Sequence, residues 1–176
     1  MSNTTWDVMV DLETYDNICT AAIASIGAVK FNIATGEIGD TMYCTVSPKS
    51  CKEYGLSFFH DTIEWWKKQP IEAQRALRVN NIDLPDALEK LAQFYSGCGK
   101  ISCWRMFDVP VLDHAYRKIG KPSPWMYWDG VECSGISNLL GVKIDRKAGV
   151  HHNALDDAIN QAKHMIKILR GSIDNE

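Results

Sequence analysis

The order of apolar and polar positions changes character near residue 61. Before it, short apolar runs divided by turn residues predict strands. Val8, Met9 and Val10 begin a strand over residues 7–12. The stretch AAIASIGAVKFNIATGE carries apolar Ile23, Ile26, Ala28, Val29 and Phe31, then turns at Thr35–Gly36. A third strand, DTMYCTVSP (40–48), is closed by Pro48. Short turns between the three predict an antiparallel meander.

From residue 61 the spacing becomes helical. DTIEWWKKQ has Asp61 or Thr62 as its N-cap and Glu64 in the first turn, and it stops at Pro70. IEAQRALRV continues as a second short helix. DLPDALEKLAQFY has Asp83 as cap, Pro85 in the first turn, and apolar Leu84, Leu88, Leu91, Phe94 and Tyr95. GKISCW (99–104) is a short strand, VPVLDHAYRKIG a helix ended by Gly120, and KPSPW a break. The last helix spans about 153–170, with Leu155, Ala158, Ile159, Ala162, Met165, Ile166 and Leu169 at helical spacing. Residues 171–176 are expected to form a flexible tail. No repeat or linker interrupts the chain, so residues 1–176 are expected to form one α/β domain.

Composition narrows the class. A chain of 176 residues can bury a real core. With 45% hydrophobic and 23% charged residues it is not a disordered chain. No apolar run approaches the ~18–20 residues of a membrane helix. The start MSNTTWDV has neither a basic nor an apolar leader region, so the expected location is cytoplasmic. Cys19, Cys44, Cys51, Cys98, Cys103 and Cys133 form no Cys-x-x-Cys pair and are expected to be reduced, mostly in the core. A net charge of −3 excludes a protein that coats nucleic acid by bulk positive charge. An enzyme gripping a few nucleotides is still allowed, because bound metal ions can supply the charge.

Candidate chemistry begins where the first strand ends. Asp11 and Glu13 are one residue apart, so on an extended chain they face the same way. Carboxylates that close repel unless a cation lies between them. An isolated Asp-x-Glu is a frequent chance pattern, but further acids follow. Asp108 lies between a short strand and a helix, where it could serve only as a cap. HHNALDDAINQA begins the last helix. In it Asp157 borders the apolar stripe and Asp156 lies nearer solvent, while His151 reads as a polar helix entrance. No Lys or Arg follows Asp157 by one turn, since 160 is Asn and 161 is Gln. A metal is then a plausible neutraliser. Asp11, Glu13, Asp108 and Asp157 are hard oxygen donors suited to Mg²⁺ or Mn²⁺. Four acids would balance two divalent ions, the arrangement for phosphodiester hydrolysis. His152 would be the general base.

Asp11-Leu12-Glu13-Thr14, Phe107-Asp108 and His152-Asn153-Ala154-Leu155-Asp156-Asp157 resemble the three motifs of the DnaQ-like (DEDDh) 3′–5′ exonucleases. The family spacing of His, four residues, Asp selects His152 and Asp157 over His151 and Asp156. TIEWWKKQPIEAQRAL is similar to the subgroup of phage exonuclease DexA and its bacterial exoribonuclease relatives. The chain departs from the pattern in two places. CWRMFD replaces a Gly- or Asn-containing loop, and WDGVECSGIS stands where many relatives have an Arg-Asp-x-Arg-Thr-like segment.

The resemblance implies a ribonuclease H-like domain with a five-stranded mixed central sheet and helices on both faces. It implies one ion on Asp11, Glu13 and Asp157, a second on Asp11 and, through water, Asp108, and proton removal by His152. The implied partner is the 3′ end of single-stranded nucleic acid, DNA ahead of RNA, with no membrane; relatives are often homodimers. Alternatives are an enzyme for very short oligonucleotides or nucleotides, and an inactive adaptor on the same fold. Substrate contacts are expected from Thr14 at the terminal sugar and from stacking on Trp65, Trp66 or Trp104. Trp125, Tyr127 and Trp128 are expected to be packing residues. Lys67, Lys68, Arg75, Arg78 and Arg105 either meet phosphates or face solvent.

Overall fold

The computed structural model describes residues 5–145 and 152–173. Strands β1 (Asp7–Thr14), β2 (Ile23–Asn32) and β3 (Glu37–Thr45) form the expected antiparallel meander. Helices α1 (Pro48–Glu53), α2 (His60–Lys67), α3 (Ile71–Ala76) and α4 (Leu84–Tyr95) follow. The chain then returns to the sheet as β4 (Ile101–Cys103) and leaves it as α5 (Asp108–Lys118). A 3₁₀ turn (Tyr127–Asp129), β5 (Gly130–Glu132), α6 (Cys133–Leu139) and α7 (Ala154–Ile173) complete the fold. The sheet order is β3-β2-β1-β4-β5, with β4 parallel to both of its neighbours. This is the expected five-stranded mixed sheet.

Strand alternation divides the core between the two faces of the sheet. Val8, Val10 and Leu12 pack with Leu88 and Leu91 of α4 and Val111 and Leu112 of α5. Met9, Val29 and Phe31 point the other way, onto Ala158, Ala162 and Met165 of α7. Helices therefore cover both faces. Cys44, Cys51, Cys103 and Cys133 are buried as free thiols and Cys19 is exposed.

Several local expectations are corrected. Helix α2 starts at Phe59 as N-cap, not at Asp61 or Thr62, because the Phe59 N–H is held by the Tyr15 carbonyl at 2.9 Å. Asp83 occupies the N-cap of α4 but makes no capping bond. Ser50 Oγ of α1 instead accepts from the Leu84 N–H at 3.0 Å. Asp108 is the first residue of α5 with Phe107 at the cap position, so it does not cap the helix. Helix α7 continues through Gly171 to Ile173, its last turn tied down by Arg170, which donates to the Thr35 carbonyl at 2.8 Å. The rest of the expected tail, 174–176, lies outside the described residues. Trp125 is buried as expected, but Tyr127 is 89% and Trp128 59% exposed, each ring leaning edge-on against the other.

Candidate active site

β1 outruns its parallel neighbour. β4 pairs only with Val8 and Met9, so the far end of β1 is open on that side. Asp108 fills the gap: its Oδ1 accepts the Leu12 N–H at 3.0 Å across the sheet. The first residue of α5 is thereby fastened beside Asp11 and Glu13. Those two share a face with Met9, which is the face covered by α7.

α7 is seated by an absence of side chain. Gly27 pairs with Asp11 across β1 and β2. A Cβ built on Gly27 would stand 2.2 Å from the carbonyl carbon of Ala154 and the nitrogen of Leu155. Only glycine lets the first turn of α7 lie this close to the sheet. Asn153 caps that turn, its Oδ1 accepting from the Leu155 and Asp156 N–H groups at 3.0 and 3.2 Å. His152, just before it, adopts φ = 63°, a left-handed conformation that His tolerates better than most residues. His151 lies outside the described residues.

These supports bring the acids together. One oxygen each of Asp11, Glu13 and Asp157 lies within 4.8 Å of the others. Asp108 is outside that triangle but lines the same cleft, as does His152. Burial is the main force pushing the Glu13 carboxyl up to about 8, with Asp157 and Asp108 adding repulsion. Burial also raises Asp11 well above the usual carboxylate range, helped by Asp108 and Glu13. Asp108 is raised by burial too, opposed by the Leu12 N–H. Gln161, one turn beyond Asp157, donates to Asp11 Oδ1 at 2.7 Å and pulls the other way. In the sequence alone, Gln161 registers only as a position without a cation near Asp157. Its i+4 spacing from Asp157 put it on the same helix face and was the available signal.

The cleft has a volume of about 610 Å³, in the range of small-molecule sites. The two adjacent tryptophans divide their work. Trp66 is 6% exposed and donates its indole N–H to the Thr14 carbonyl at 2.9 Å. Trp65 is 40% exposed and meets the His152 ring edge-on, with centroids 4.8 Å apart. Thr14 lines the cleft while its hydroxyl donates to the Asp16 carbonyl at 2.7 Å. Trp104 also lines the cleft and packs edge-on against His164 at 5.5 Å. Of the candidate phosphate contacts, Arg105 borders the cleft.

A mixed sheet of this order, with carboxylates from its central strand, from α5 and from α7 around one cleft, has the ribonuclease H-like architecture of the DEDDh exonucleases. The chain belongs to the 3′-5′ exoribonuclease Rv2179c-like domain family, which it matches over residues 6–169. It is a 3′–5′ exonuclease. Solved structures agree on the fold. The nuclease domain of 3′hExo, a DEDDh family member bound to rAMP, superposes with a TM-score of 0.63 at 18% identity, over 97% of this chain and 94% of that one. The zinc-bound E. coli ExoI–ssDNA complex gives a TM-score of 0.69 at 10% identity, over 97% of this chain and 41% of that one. Exonuclease I from Methylocaldum szegediense gives 0.66 at 13% identity, over 95% and 40%. Among curated proteins none matches the sequence. No helix among the described residues is long and apolar enough to cross a membrane.

Proposed function

We propose that the protein shortens RNA from its 3′ end, one nucleotide at a time, using two Mg²⁺ or Mn²⁺ ions and His152 as general base. The observation that carries this reading is the convergence of Asp11, Glu13 and Asp157 oxygens within 4.8 Å. Buried carboxylates in such a cluster are strained when ionised and fit a hard divalent cation. Asp11, Glu13 and Asp157 would hold one ion, and Asp11 with Asp108 the other. Bound there, the ions supply positive charge to the phosphate as it accumulates negative charge.

The chain's own residues do the rest. His152 accepts the proton of the water that attacks phosphorus. The bond from phosphorus to the 3′ oxygen of the penultimate nucleotide breaks, and a 5′-mononucleotide leaves. Trp65 and Trp66 hold the His152 ring edge-on from one side. Trp65, the more exposed of the pair, offers a face for the terminal base. Gln161 fixes one oxygen of Asp11 and so orients the other.

RNA takes precedence over DNA because the family is described as exoribonucleolytic. The resemblance of the sequence motifs puts DNA ahead of RNA, so both polymers enter the test. RNA and DNA single strands labelled at the 5′ end are incubated with Mg²⁺ or Mn²⁺ and resolved as ladders. Stepwise shortening of RNA, abolished by EDTA, is the expected result. A ladder from DNA alone would reverse the substrate assignment, and no ladder from either would overturn the reading.

A further inference from the structure

A second cavity of about 340 Å³ adjoins the cleft and shares Trp104, Arg105 and Ile144 with it. Its remaining wall is mostly polar: Ser134, Ser137 and Asn138 of α6, then Val142 and Lys143. Among the described residues no carboxylate lines it, although four acids that line the cleft next door converge there: Asp11, Glu13, Asp108 and Asp157. Arg105 and Lys143 are both exposed, and among the described residues neither is drawn into an ion pair.

The wall is built rather than loose. Ser137 is 1% exposed, and its hydroxyl donates to the Val142 carbonyl at 2.5 Å while meeting His164 Nε2 at 2.7 Å. With its one proton given to Val142, the hydroxyl accepts from His164, which places the imidazole proton on Nε2. The segment bearing Lys143 is thus pinned to α7. Trp104, edge-on to the same His164, lines both chambers. Both departures from the family pattern, CWRMFD and WDGVECSGIS, supply walls of this cavity.

We propose that this second chamber binds the phosphodiester backbone of the nucleotides 5′ to the terminal one, through Arg105, Lys143 and Asn138. The inference rests on the exonuclease reading above. A strand whose last phosphate lies at the acids must leave the cleft somewhere, and it carries one negative charge per nucleotide. Another cavity, beyond Trp66, is bordered by Lys67 and Arg78 but holds only about 110 Å³, too small for that backbone. The second chamber therefore makes the enzyme favour strands longer than a dinucleotide.

The test compares kcat/KM on oligoadenylates of two and ten nucleotides, with Mg²⁺, across a salt series. Replacing Lys143 by Ala is expected to lower the ten-mer to dinucleotide ratio about fivefold. Lys143→Glu should lower it further, and Lys143→Arg should restore it. For the ten-mer, Lys143→Ala should reduce the steepness of the log–log salt dependence by about 0.7, the value for one phosphate contact on a single strand. A wild-type ratio and slope in Lys143→Ala and Lys143→Glu, with cleavage intact, would overturn the chamber and leave the exonuclease reading standing. Failure of the wild type to cut either length would overturn both.

Discussion

Without metal, the carboxylate cluster should make the protein's stability fall as pH rises, and Glu13→Gln should remove much of that fall. In the folded chain the Glu13 carboxyl titrates near 8 instead of the ordinary 4.5. A carboxyl raised by folding contributes stability below pH 4.5, and that contribution is lost as pH rises through about 8. Each tenfold change is worth about 1.4 kcal/mol, so full ionisation of Glu13 costs on the order of 5 kcal/mol. Neighbouring acids share protons, so this is an upper figure for one group. For a domain of this size 1 kcal/mol moves the melting temperature by roughly 2–4 °C. Melting curves in EDTA at constant ionic strength, taken from pH 5 to 9, should therefore fall by about 10 °C more for the wild type than for Glu13→Gln. The uncharged amide changes the absolute melting temperature by a constant amount, which leaves the slope as the readout. Mg²⁺ or Mn²⁺ at pH 8–9 should raise the wild type strongly and the variant much less. Parallel pH curves for the two proteins in EDTA would refute the placement of Glu13 in a buried carboxylate cluster.

Asp11→Asn is expected to abolish RNA shortening while the circular dichroism spectrum stays that of the folded wild type; full activity would sink the site assignment. His152→Ala should slow turnover by ~10²–10⁴-fold, while stabilisation by added divalent metal is kept. Trp65→Ala should raise KM by the ~1–3 kcal/mol of a lost stacking platform and leave the melting temperature nearly unchanged. Trp66→Ala should lose ~3–5 kcal/mol of stability, measured by urea unfolding, because the indole is buried and hydrogen-bonded to Thr14.

Long elements with clean periodicity were legible in the sequence. The meander, α4, α5 and α7 all bury residues at the predicted spacing. α1, β5 and α6 were not legible. β5 has three residues and exists only because β4 pairs with it. α6 is Cys-Ser-Gly-Ile-Ser-Asn-Leu, a composition that resembles a loop. It is held by Glu132, whose carboxylate accepts from the Ser134 and Gly135 N–H groups at 3.1 and 2.8 Å. At the site, residue types and spacing pointed to Asp11, Glu13 and Asp157. The bonds that set them, from Leu12 to Asp108 and from Gln161 to Asp11, join distant segments and leave no local trace. Gly27 is similar: its need for glycine is dictated by a helix more than a hundred residues away.

The bond between Gln161 and Asp11 spans 150 positions. It ties the first strand of the fold to its last helix, and Asp157 crosses nearly the same interval. During synthesis β1 leaves the ribosome long before α7. Until α7 settles into the notch at Gly27, the acids of β1 and Asp108 lack Asp157, and a metal would have only part of its cage. The proposed metal centre is therefore incomplete until residues 154–173 have been made. A nuclease assembled this way would be armed only when α7 has been made.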